Sequence, residues 1–140
     1  MNLITYGKGN SFSVRKFVPV SNYHFKPKGG LWASPVKSSF GWKDWCKAEG
    51  FGDLSSHFVF QFSGNVLKID SLKDALEMPW CSFIDIPSLE YPDYDGMVHL
   101  GIDAIHITAK GERETRFIFP KNLYGWDCES VLVMNPNGIN

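Results

Sequence analysis

Alternation of apolar and polar positions is clearest in residues 57–63. Phe58, Phe60 and Phe62 take every second place there, the period of a strand with one buried face. Residues 3–6 form a shorter apolar strand that stops at Gly7. Residues 14–20 read as a second extended piece containing Pro19, and residues 31–34 as a third, closed by Pro35. Ser63-Gly64-Asn65 is a turn signal, predicting that residues 66–70 fold back as the partner of 57–63. Residues 102–108 and 115–119 alternate as well, and Lys110-Gly111 between them predicts a hairpin. Residues 129–134 are the last strand, and Pro136-Asn137-Gly138 marks a frayed tail.

Two stretches change period. Trp42, Trp45, Cys46 and Glu49 recur at helical spacing and predict a short helix with an aromatic face. Ser71 with Asp74 three residues on, ahead of Ala75 and Leu76, predicts a capped helix running to about Met78 and ended by Pro79. Residues 87–97, rich in Pro, Asp and Tyr, read as an irregular loop. No repeat, linker or low-complexity run divides the chain. The pattern predicts one compact α+β domain over residues 1–140, with a few short helices and strands predominating.

Composition narrows the options. A chain of 140 residues, 44% hydrophobic and 21% charged, has the make-up of an ordinary globular domain. Its formal net charge of −1 argues against strong general nucleic-acid binding and against attraction to anionic membrane. No apolar run approaches the ~20 residues of a spanning helix. No apolar stretch follows a basic start, so a secretory leader is not expected. Cys46, Cys81 and Cys128 are odd in number and far apart, which disfavours a disulfide framework or CxxC zinc ligation. Reduced thiols and a cytoplasmic setting are expected. His24, His57, His99 and His106 lack zinc-type spacing, so no metal is inferred. The 5 Trp, 5 Tyr and 11 Phe belong mostly to a core, with some available to line a pocket for a flat ligand.

Candidate chemistry concentrates in residues 122–134. There the aromatic, glycine-containing turn Tyr124-Gly125-Trp126 delivers Asp127 and Glu129 onto the start of an apolar strand. Alternation would put both acids on one face with Val131 and Val133, where they hold a sugar hydroxyl or steady developing positive charge. The plainer alternative is two solvated acids before an edge strand. Cys128 between them reads as a structural thiol.

A second candidate runs from Lys26 to Pro35. Gly29-Gly30 permits close backbone approach, Ser34 brings a hydroxyl to a strand end, and Lys26 and Lys28 suit phosphates. The alternative is a tight turn with surface lysines feeding a core strand. Trp42 and Trp45 are core residues first, though at a cleft one ring would stack on a nicotinamide or adenine. His106, inside an alternating strand, reads as a satisfied sheet residue rather than a general base.

Taken together, three short segments resemble the ADP-ribosyltransferase superfamily. Asp127-Cys128-Glu129 followed by Ser130-Val131-Leu132 resembles its late strand headed by an acid-x-Glu pair, and Tyr124-Gly125-Trp126 the aromatic turn before it. Ala33-Ser34-Pro35 is similar to its small-residue triplet, and Tyr6-Gly7 stands where His-Gly or Arg-Gly is usual. The resemblance implies mostly antiparallel strands in two small sheets around an NAD-type cleft, with NAD as substrate. It implies catalytic roles for Glu129, Asp127 and Ser34, with Glu129 stabilising an oxocarbenium-like transition state. It implies NAD contacts from Tyr6, Gly7, Gly30, Leu31, Trp32 and Trp42. An acceptor, expected to be a protein, would meet Tyr124 and Trp126.

Two departures stand out: no His or Arg precedes Gly7, so Tyr6 or Arg15 would replace that anchor, and Asp127 is shorter than the usual Glu or Gln. A divergent enzyme of a bacterial or phage cytoplasm fits these features. So does a relative that binds a nucleotide without catalysis, or a small protein-docking inhibitor of the mobile-element type, with Trp and Tyr as anchors.

Overall fold

The computed structural model describes residues 1–82, 88–121 and 123–140. In chain order the elements are β1 (Asn2–Tyr6), β2 (Leu31–Pro35), α1 (Trp42–Glu49), β3 (His57–Gln61), β4 (Val66–Ile69) and α2 (Leu72–Glu77). Then come β5 (Trp80–Ser82), β6 (Glu90–Pro92), α3 (Tyr94–His99), β7 (Ala104–Ile107), α4 (Ala109–Thr115) and β8 (Ser130–Val133). A six-stranded sheet runs β3-β1-β2-β8-β7-β4, and β5 pairs with β6 in a small second sheet. Among the described residues these strands pair antiparallel, except β4 with β7. The α+β class and the mostly antiparallel strands follow the expectation from sequence.

Strand period decides which side chains meet. On one face of the large sheet Leu3, Leu31, Ala33, Phe58, Phe60 and Phe62 join Val131 and Val133 in one apolar cluster. On the other, Leu132, Ile105, Ile107 and Ile69 pack with Trp126, Tyr94 and Met97. The alternating phenylalanines of β3 therefore point inward as predicted, and β3 runs antiparallel beside β1 from Asn2↔Gln61 to Tyr6↔His57.

Several expectations are corrected. Residues 66–70 do not pair with 57–63: β3 and β4 sit at opposite edges of the sheet. The intervening turn is captured by other segments, since Asn65 N–H donates to Asp103 Oδ2 at 2.8 Å and Ser63 N–H to the Gly138 carbonyl at 2.9 Å. That capture carries the chain across to β7. The expected hairpin around Lys110-Gly111 is instead the helix α4. Thr108 caps it by accepting from Gly111 N–H at 3.0 Å, so the local hydroxyl outweighs the alternating pattern. Residues 14–20 form no strand, only the 3-10 turn Val14–Lys16.

Within residues 88–97, part of the stretch read as irregular, lie β6 and the start of α3, whose cap Asp93 accepts from Gly96 N–H at 3.0 Å. Pro87 lies outside the described residues. The C-terminal residues dock rather than fray: Pro136–Gly138 is a 3-10 turn, and Gln61 and Asn140 exchange backbone hydrogen bonds at 3.1 and 2.8 Å. The helix spanning Trp42 and the capped helix after Ser71 form as expected.

α4 approaches the end of β4 closely. A Cβ on Gly111 would lie 2.2 Å from the Ile69 carbonyl oxygen, a backbone atom that cannot swing aside. Gly111→Ala should therefore destabilise the fold by about 1–3 kcal/mol, although alanine favours helix by itself. A urea titration checks this; a higher unfolding midpoint would show that the helix has room to move.

Candidate functional site

The site is built where β1, β2 and β8 lie side by side and α1 begins. Ser34, 2% exposed, joins these parts: its hydroxyl donates to the Glu129 carbonyl at 3.0 Å and accepts from Trp42 N–H at 2.9 Å. Gly41, just before α1, leaves the space this needs, because a Cβ there would meet Ser34 Cβ at 2.9 Å. One buried hydroxyl thus sets the start of α1 against the residues leading into β8.

Beside this junction is a cavity of about 300 Å³. Tyr6, Trp32, Trp42 and Trp126 give it aromatic walls, with Lys26 and Asp127 at its polar part. Trp42 is braced from behind by Trp45, the rings 5.0 Å apart and 19° from parallel. Trp32 and Trp126 meet edge to face at 4.6 Å. Trp126 is 1% exposed and its indole N–H donates to the Tyr94 hydroxyl at 3.2 Å. Burial, helped by the charge of Asp44, raises the Tyr6 hydroxyl pKa above its ordinary value.

The two acids of the 127–129 segment part company. Asp127 faces the cavity, where Lys26 Nζ meets Oδ2 at 3.1 Å and Arg116 Nη2 meets Oδ1 at 3.7 Å. Arg116 is itself held by Glu112 at 3.0 Å. Glu129 does not line the cavity. Its carboxylate accepts from Ser38 Oγ at 2.5 Å and lies 2.9 Å from His106 Nε2, with the Glu129 and His106 side chains 13% and 12% exposed. The cause is pleat geometry: His106 stands opposite Val131, so Glu129 two residues earlier is its diagonal neighbour on that face. The expectation of one shared face for Asp127 and Glu129 is corrected, because β8 begins only at Ser130 and strand alternation does not govern Asp127.

Of the residues expected to contact NAD, Tyr6, Trp32 and Trp42 line this cavity. Gly30 and Leu31 line a neighbouring one, and Gly7 turns the chain between them with φ of 71°. Ser34 is adjacent and spent on backbone groups. Tyr124 is half exposed beside Phe117 and Arg116, whereas Trp126 belongs to the wall. Ser38, Lys8 and the His106–Glu129 pairing escaped the sequence; only knowledge of the β7–β8 register would have revealed the last.

No protein-family model, curated protein or solved structure matches this chain. Its chemistry is argued from its own residues.

Among the described residues no group of three or more His, Cys, Asp or Glu is placed to hold a metal ion, and no helix is long and apolar enough to cross a membrane. Cys128 is a buried thiol. Burial chiefly, with the Asp127 charge beside it, pushes its pKa from 9.0 up to about 11.

Two outcomes follow. Ser34→Ala strands the Trp42 N–H and the Glu129 carbonyl in a buried place, and should cost about 1–3 kcal/mol in chemical denaturation. Above pH 9.0 the unfolded chain gives up the Cys128 proton while the folded chain keeps it, so stability falls as pH rises toward about 11. Melting temperatures measured from pH 8 to 11 should decline, and less steeply for Cys128→Ala; an unchanged slope in that variant would show the thiol plays no part.

Proposed function

We propose that this chain transfers ADP-ribose from NAD to an acceptor, a protein in this reading, with the nicotinamide half of NAD in the aromatic cavity. The observation that carries the proposal is the adjacency of β1, β2 and β8, which gathers Tyr6, Trp32 and Asp127 around one aromatic hollow, with Ser34 beside it. Flat walls on several sides suit a pyridine ring, since stacked rings bury area and keep a defined orientation. In the reaction the bond from the ribose C1′ to the nicotinamide nitrogen breaks, and the electron pair leaves with nicotinamide. The acceptor's nucleophile then bonds to C1′ and releases its proton.

Positive charge on the ribose has to be met by a fixed anion. Glu129 supplies it by exchanging the Ser38 hydroxyl for the ribose 2′-hydroxyl, while His106 holds the other oxygen. Ser34 keeps the Glu129 backbone in place. Asp127, at the cavity and neutralised by Lys26 and Arg116, orients the acceptor together with Tyr124.

A second reading, nucleotide binding without transfer, is favoured by one observation: the Glu129 carboxylate is turned toward His106 and is not part of the cavity lining. Both readings predict that NAD at about 100 times its Kd stabilises the protein by roughly 2.7 kcal/mol in a thermal melt. They differ in turnover. Under ADP-ribosyl transfer, nicotinamide is released in the presence of acceptor, and Glu129→Gln lowers the rate on the order of 10²-fold or more with a nearly unchanged melt. Binding with no nicotinamide release selects the non-catalytic reading. A flat thermal response to NAD and ADP-ribose removes both, leaving a protein-docking module.

A further inference from the structure

A second hollow, about 620 Å³, shares Lys8 and Trp32 with the first and opens where β1 ends and β2 begins, on the sheet face of Leu31 and Phe58. Loop residues 7–18 form much of its wall, contributing the rings of Phe12 and Phe17 and the polar side chains of Ser11, Ser13 and Lys16. The loop is pinned at its ends. Gly7 N–H donates to the Ser56 carbonyl at 2.9 Å and Gly9 N–H to Ser56 Oγ at 3.3 Å, while Gly30 N–H donates to the Val18 carbonyl at 2.8 Å. Gly7 and Gly9 have φ of 71° and 88°, left-handed conformations that glycine accepts without strain. Lys8 is carried between them.

Lys8 is the cation that borders both hollows. Lys26, Lys73, Lys110 and Lys121 each face a carboxylate. Among the described residues Lys8 enters no such pair, as is also true of Lys16, Lys28, Lys37, Lys43, Lys47 and Lys68; Lys8 is exposed. An unneutralised ammonium at the boundary of two base-sized hollows is suited to an anion that belongs to both of their occupants.

We propose that the two hollows are the halves of one dinucleotide site, with Lys8 gripping the diphosphate at the waist. The proposal rests on the NAD reading and adds to it the residues that take the far half of the ligand. A dinucleotide is two base-and-ribose units joined through a diphosphate, so it requires two ring-sized hollows and a cation where they meet. The nicotinamide unit takes the smaller, aromatic hollow. The adenosine unit takes the larger, its base against Phe12 and its ribose hydroxyls toward Ser11 and Ser13. Lysine acts here as a mobile point charge on phosphate oxygens.

The experiment is calorimetric titration of wild type, Lys8→Gln and Phe12→Ala with NAD, ADP-ribose and nicotinamide riboside. Lys8→Gln should weaken NAD and ADP-ribose by about tenfold or more, the size of one charge-assisted phosphate contact, and leave nicotinamide riboside unchanged. Phe12→Ala should weaken the two adenosine-bearing ligands and spare nicotinamide riboside. Lys8→Arg should recover most of the NAD affinity. If wild type binds and turns over NAD while Lys8→Gln binds it equally well, the diphosphate assignment is overturned and the NAD reading stands. If Phe12→Ala binds ADP-ribose as wild type does, the second hollow is not the adenosine half. If wild type binds neither NAD nor ADP-ribose, the NAD reading fails and this proposal fails with it.

Discussion

β8 has no solvated side. Val131 and Val133 press into the phenylalanine-lined cluster, and Leu132 into the cluster containing Ile105 and Trp126. Its neighbours β2 and β7 occupy both of its hydrogen-bonding edges. A strand enclosed this way has its register fixed, since a slip of one residue would exchange the contents of two different cores. The placement of the site depends on that fixity, because the residues entering β8 cannot shift along the sheet to accommodate their own polar groups.

The entering residues meet this constraint by finding separate partners. An ionised carboxylate at the border of a core needs counter-charge or hydrogen bonds. Asp127 finds Lys26 and Arg116 at the cavity; Glu129 finds Ser38 and His106 toward the other face. Cys128 between them stays a protonated thiol. The backbone carbonyl of Glu129 is held in turn by Ser34, which also anchors the first turn of α1 and hence Trp42. Acid, hydroxyl and aromatic wall therefore form one mechanical unit, and a change at Ser34 reaches all three.

Trp32 occupies a comparable junction among the rings. It sits in β2 with its ring edge on Trp126, has the Lys26 ammonium 5.7 Å above its face, and borders both hollows. Its burial stabilises the sheet face it shares with Trp126, and it lines both hollows, which open on opposite faces of the sheet. Core and site share this side chain.

Local pattern by itself determined the short-range elements: the inward phenylalanines of β3, the strands around Leu3, Leu31 and Val131, the helix begun by Trp42 and the one capped by Ser71. These follow from side-chain period and capping hydroxyls, which act within a few residues. Tertiary structure alone decided that β3 and β4 separate to opposite edges and that Asp127 and Glu129 diverge. Both outcomes depend on groups distant in sequence: Asp103 and Gly138 for the turn, and His106 across from β8. The candidate site was legible as a set of residues, since Tyr6, Trp32, Trp42 and Asp127 do line one cavity. The orientation of Glu129 was not, because it is set by the register of two strands that no local pattern encodes.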